Sequence, residues 1–129
     1  SDATVGLIYF DNPNGIVGNI STSGTSTAYN TSSDYRLKEN VTVIDNASER
    51  VKQLNPCRFN FIGEQRTVDG FLAHEAQAVV PESVTGDKDA VDADGNPVYQ
   101  GIDQSKLVPL LTAALQEALA RIEALEGGA

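Results

Sequence analysis

Near the N-terminus, apolar positions come in short runs separated by turn formers. TVGLIYF reads as a strand, DNPNG as a turn and IVGNIST as a second strand. SGTSTAYNTSS, with few large apolar groups, reads as extended and exposed. The pattern changes near Asp34, after which charged, helix-compatible segments take over. VTVI (41–44) predicts a short strand. Asn46 with Glu49 makes a capping-box start to a helix that puts Ala47, Val51 and Leu54 on one face, and Asn55-Pro56 ends it. Cys57, Phe59 and Phe61 alternate with Arg58 and Asn60, the period of a half-buried strand, before a turn around Gly63 to Gly70. GFLA suits a strand entering a short helix that Pro81 closes, with Phe71, Ala76 and Val79 or Val80 in the core. Val91 and Val98-Tyr99 flank DADGNP, whose turn chemistry predicts a projecting β-hairpin.

From about 105 to 126 the pattern is helical, with Ser105 as N-cap, Pro109 tolerated in the first turn and Gly127-Gly128 as the stop. Val108, Leu115 and Ile122 fall at heptad position a, and Leu111, Ala118 and Leu125 at d. A lone helix would leave these six side chains partly in water, so self-association is the simplest cover; packing on the chain's own domain is the other. Glu117 and Arg121, spaced i,i+4, are expected to pair on the exposed face. The expected fold is α+β: a small mixed domain with short strands, a projecting hairpin and a long C-terminal helix, preceded by a β-rich segment. Residues 1–32 and 33–129 form the two expected regions. The first buries too little surface to be stable as a monomer and is expected to fold with neighbours.

Composition narrows the function. A chain of 129 residues has room for one modest domain and an extended arm. Nine basic residues against eighteen acidic ones give a net charge of -9, which disfavours nucleic acid and anionic membrane surfaces as partners. A single cysteine, Cys57, forms no internal disulfide and is most simply a core residue. The start, SDATVGLIYF, lacks the basic region of a secretion signal, and no run is long and apolar enough to span a bilayer, so a soluble chain made in the cytosol is expected.

The candidate chemistry lies at the compositional boundary, in Ser32-Ser33-Asp34-Tyr35-Arg36-Leu37-Lys38-Glu39-Asn40-Val41. A serine hydroxyl needs a nearby base, and lysine can serve once it has lost its proton. Ser33 and Lys38 are five positions apart, close enough to meet through a local bend or between copies. The string resembles the S-D-x-R-L-K-x-N-V signature of the C-terminal intramolecular chaperone found on endosialidase tailspikes, phage neck appendages and tail fibres. GFLAHEAQAVVPESV resembles that family's second block, and SKLVPLLTAALQEALARIEALE its closing helix.

The resemblance implies a homotrimeric fibre whose β-structured stalk is assembled with the help of this domain, which then removes itself. By position, Ser33 is the expected catalytic serine, Lys38 its base and Ser33-Asp34 the expected cut, making the chain a single-turnover serine endopeptidase. Arg36 or backbone N–H groups are candidate oxyanion donors, and Asp34 is a candidate for orienting Lys38 or Arg36. The C-terminal helices are expected to form the trimer bundle. The expected partners are two further copies and the upstream fibre, with assembly in the host cytoplasm and the fibre ending in the virion tail.

Other residues are read more plainly. His74 stands where the family pattern has glutamine and is read as a half-buried hydrogen-bonding residue rather than a proton relay. DADGN resembles the start of a calcium loop, but Pro97 occupies the glycine position and Asp103 replaces the terminal glutamate, so a hairpin turn is the expectation. No metal or cofactor is expected. The competing reading makes the chain a permanent, uncleaved structural or receptor-binding tip, with residues 1–32 or the Asp92–Tyr99 hairpin touching a host surface.

Overall fold

A computed structural model describes residues 4–128. The first three residues of the expected 1–32 segment, and Ala129 at the end of the second region, lie outside the described residues. The chain is mixed α/β and divides into two compact units, one ending at Thr42 and one starting at Val43.

The first unit is a meander of three antiparallel strands: β1 (Val5–Asn12), β2 (Gly15–Ser23) and β3 (Ser26–Thr31), with β2 in the centre. The expected turn forms where Asn12 accepts from the Asn14 N–H at 2.9 Å and Gly15 takes a φ of 98°. SGTSTAYNTSS supplies the third strand, extended and exposed as expected. Asn19 faces Asn30 across β2 and β3, and the Asn30 amide donates to Asn19 Oδ1 at 2.9 Å and to Ser21 Oγ at 3.2 Å. Successive residues Leu7, Ile8, Tyr9 and Phe10 are all exposed, and since neighbours on a strand point to opposite faces, both faces of β1 present apolar surface.

The second unit packs α1 (Ala47–Val51) against α3 (Val108–Gly127). Ala47, Leu54, Val79, Val80, Leu107 and Leu110 form its core, with Val51, Phe71, Ala113 and Ala114 packed against them. β4 (Cys57–Asn60) pairs antiparallel with β5 (Thr67–Gly70), Cys57 opposite Gly70 and Arg58 opposite Asp69. α2 (Ala73–Gln77) follows and buries Ala76. A 3-10 turn at Pro81–Ser83 leads into β6 (Val84–Thr85), which pairs with β7 (Gly101–Ile102). A further 3-10 turn at Gln104–Leu107 runs into α3.

Several expectations are corrected. Residues 41–44 form no strand: Val41 and Val43 are 83 % and 88 % exposed, and none of the described strands pairs with their backbone. The capping box at Asn46 does not form, because Asn46 adopts a φ of 53° and its side chain makes no cap bond. Glu117 on α3 supplies the cap instead, accepting from the Ser48 N–H at 3.1 Å and from the Ser48 hydroxyl. That use of Glu117 replaces the expected pair with Arg121, whose charge only assists. Within the stretch read as a turn, Thr67–Gly70 is a strand. Phe61 lies beyond β4, exposed, with its ring edge-on to Phe59 at 5.2 Å. Phe71-Leu72 is a link rather than a strand, and Pro81 opens a 3-10 turn rather than closing α2. Around Asp92 the expected ribbon is reduced to a tight turn with one bridge, Val91 to Pro97. Asp92 Oδ1 accepts from the Asp94 and Asn96 N–H groups, an ordinary use of Asp in a turn. Ser105 is not the N-cap; Asp103 is, accepting from the Ser105 N–H and hydroxyl.

The heptad seam is exposed along its whole length: Val108 56 %, Leu111 45 %, Leu115 60 %, Ile122 49 % and Leu125 77 %, with Ala118 also open. α3 meets the core through Leu110, Ala113 and Ala114 instead, a stripe turned about 100° from the seam. The seam therefore does not cover the chain's own domain.

Candidate active site

The sheet fixes one side of the site. After β3, the Ser32 N–H donates to the Val17 carbonyl at 3.0 Å, so the chain is held to β2 until the residue before Ser33. It then turns at once. Asp34 has extended backbone angles, and its carboxylate accepts from the Arg36 N–H at 2.9 Å, which caps a 3-10 turn at Tyr35–Leu37. The Leu37 and Lys38 N–H groups close that turn onto the carbonyls of Asp34 and Tyr35, each at 3.0 Å. Lys38 leaves the turn extended, and its Nζ donates to Ser33 Oγ at 2.6 Å. The local bend that the five-residue spacing requires is therefore a single capped turn within one chain.

Arg36 is turned onto its neighbour Asp34. Its Nε and terminal amino group each donate to the Asp34 carboxylate at 2.9 Å, a two-pronged pair. The Asp34 carboxyl is held below its ordinary value, first by the Arg36 side chain, then by the Arg36 N–H, with the Lys38 charge adding a smaller effect. Asp34 thus orients Arg36 by hydrogen bonds and meets Lys38 only through charge. Tyr35 and Leu37, at 81 % and 72 % exposed, project from the turn, and Ser33 and Lys38 are exposed as well.

The remaining candidates sit in the second unit. His74 is half-buried on α2, beside a surface hollow that Asp87, Asp89 and Tyr99 also line. Cys57 is half-buried at the start of β4. Sequence reasoning missed the Ser48–Glu117 cap, since residues so far apart in the chain leave no periodic signal. It also left open what Asp34 would bond, which the Asp-x-Arg spacing settles once the turn is formed.

Residues 33–85 match the family described as chaperone of endosialidase, which is named as a peptidase family. The long tail fiber protein Gp37 of Enterobacteria phage K3 is 33 % identical over 99 residues, covering 73 % of this chain and 8 % of that protein. Gp37 of Enterobacteria phage T2 has the same identity over the same length, covering 7 % of that protein. The chain thus corresponds to less than a tenth of these fibre proteins. The family match begins at Ser33, the residue that Lys38 meets, and it is the Ser33–Thr85 segment that is similar to the chaperone-of-endosialidase family.

Proposed function

We propose that the chain is the intramolecular chaperone of a phage tail fibre or tailspike, that it trimerises with the fibre, and that it then releases itself by cutting the Ser33–Asp34 bond. The observation that supports this most is the 2.6 Å contact between Lys38 Nζ and Ser33 Oγ at the first residue of the family match. Residues 1–32 are the end of the fibre stalk in this reading, and 33–129 the chaperone. Assembly takes place in the host cytoplasm, and the fibre part ends in the virion tail.

The chemistry follows from the pair. Lys38 takes the Ser33 proton as the oxygen attacks a carbonyl, and returns it to the departing amine; water then releases the acyl group as a carboxylate. Attack by Ser33 on its own carbonyl would close a four-membered ring. A cut after Ser33 therefore uses the Ser33 oxygen of another copy, or a water that the pair activates. Attack on the Ser32 carbonyl closes a five-membered ring and moves the scission to the preceding bond. An ammonium must lose its proton before it can act as base, and removal of water favours that loss. Ser33 and Lys38 are exposed in the single chain, so the cover comes from other copies. Cutting is thereby tied to assembly. Scission at Ser33–Asp34 leaves the nucleophile on one product and the base on the other, so each site works once.

Trimerisation is supported by the exposed α3 seam and by the apolar surface on both faces of β1. The test is to purify the chain, separate its oligomers by size and follow each on denaturing gels. Wild-type trimer should be cut and monomer should stay whole, whereas efficient cutting by a monomer would refute the coupling.

A further inference from the structure

We infer that Asp34 and Arg36 are positioning residues for the cut, acting as a clamp that holds the Ser33–Lys38 pair together. The inference rests on the autoproteolytic reading above. A lysine side chain has four rotatable bonds, and nothing in a five-residue spacing alone makes its amine meet a hydroxyl. The intervening backbone must fold back in one shape. In this chain that shape is the turn at Tyr35–Leu37, and the turn hangs on one carboxylate. Asp34 accepts the Arg36 N–H at 2.9 Å, which fixes the backbone, and holds the Arg36 guanidinium through two further bonds of 2.9 Å. One side chain thus both caps the turn and anchors the residue at its centre.

Arg36 is the part that makes the clamp more than a cap. A capping carboxylate can rotate away into water, and a 3-10 turn of three residues is too short to hold itself. A guanidinium gripping both carboxylate oxygens removes that rotation. Tyr35 and Leu37, both exposed, give the turn no packing of their own. Asp34 and Arg36 act on Ser33 only through the placement of Lys38, and the direct contact to Ser33 Oγ comes from Lys38.

The test measures first-order cutting in assembled protein across pH for wild type, Asp34→Asn, Asp34→Ala, Arg36→Ala and Arg36→Lys, with Ser33→Ala as control. Misplacing a reacting group by about 1 Å costs up to about 100-fold in rate, so Asp34→Ala should slow cutting by roughly 10- to 100-fold. Asp34→Asn keeps the cap and loses the charged grip, and Arg36→Ala does the same from the other side, so both should fall between. The Asp34→Asn/Arg36→Ala double variant should be no slower than the slower single one. Arg36→Lys should recover part of the loss. A positioning defect lowers the high-pH plateau, and the plateau rather than the midpoint reads the clamp, because loss of the Asp34 charge near Lys38 acts on the base as well; oligomer size and melting temperature should not change.

Wild-type rates in Asp34→Asn and Arg36→Ala, with Ser33→Ala inert, would overturn the clamp and leave the autoproteolytic reading standing. Cutting in Ser33→Ala would overturn that reading instead. A readout that needs no cutting is amide exchange at Leu37 and Lys38 in the uncut Ser33→Ala chain. Adding Arg36→Ala should speed it about tenfold or more, and unchanged exchange would overturn the clamp whatever the cutting assay shows.

Discussion

Ser33 lies two residues past the end of β3, and Lys38 follows the 3-10 turn at Tyr35–Leu37. Ser33 follows the last backbone bond to the sheet, and Lys38 returns to it across one capped turn. In the proposed mechanism Lys38 must lose a proton, which Arg does not do at any working pH. Lys38→Ala and Lys38→Arg should therefore both slow cutting by about 100-fold or more, the usual contribution of a general base. Densitometry of timed gel samples reads this, and wild-type cutting in Lys38→Arg would remove the lysine from the mechanism. Gly18 is a second informative position. A Cβ there would lie 2.7 Å from the Asn30 carbonyl oxygen across the sheet, so Gly18→Ala forces β2 and β3 apart. A loss of about 1–3 kcal/mol, the usual cost of overpacking, is expected in denaturant unfolding of the uncut chain.

Among the elements, α3 presents two stripes, one packed into the core and one open. Leu110, 3 % exposed, belongs to the core, and Leu110→Ala should cost about 2–5 kcal/mol in thermal or denaturant unfolding. Leu115 and Ile122 lie on the open seam, and their replacement by Ser should leave the helix signal of the isolated chain intact while shifting sedimentation from trimer toward monomer. Unchanged sedimentation would show that the seam does not hold the assembly. The cap between α1 and α3 responds to pH. The hydrogen bond from the Ser48 hydroxyl, then that from the Ser48 N–H, hold the Glu117 carboxyl below its ordinary value. A carboxyl lowered in the folded state adds stability above its unfolded pKa, and that part is lost as pH falls through the lower folded value. Ser48→Ala should flatten this acid limb in melting curves taken from neutral pH downward.

Periodic signals carried most of this level. The strand at Cys57–Asn60 and the core positions Ala76, Val79 and Val80 were legible because amphipathic spacing survives in sequence. The strand expected at 41–44 failed because β-propensity without a pairing partner makes no sheet, and Asn46 failed as a cap because a carboxylate from α3 took its place. Asp103 displaced Ser105 as the cap of the turn before α3 because either side chain can serve, and only the start of the turn decides between them.

At the scale of the whole molecule, the candidate site lies in the unit that ends at Thr42, whereas the core, α3 and its seam lie in the unit that begins at Val43. The string from Ser33 to Val41 was the most legible part of the site, since it named both partners of the short contact in advance. Its internal clamp was not, because Asp-x-Arg is a common spacing that acquires meaning only when a turn brings the two side chains together. The proposed history is a fibre end and a chaperone made as one chain, joined through assembly and parted by a bond that assembly makes reactive. The most direct measurement is the intact mass of freshly assembled wild-type protein beside Lys38→Ala. The account predicts a wild-type fragment beginning at Asp34 and a single full-length mass for the variant. A wild-type trimer that stays whole, or a variant cut as fast as wild type, would contradict it.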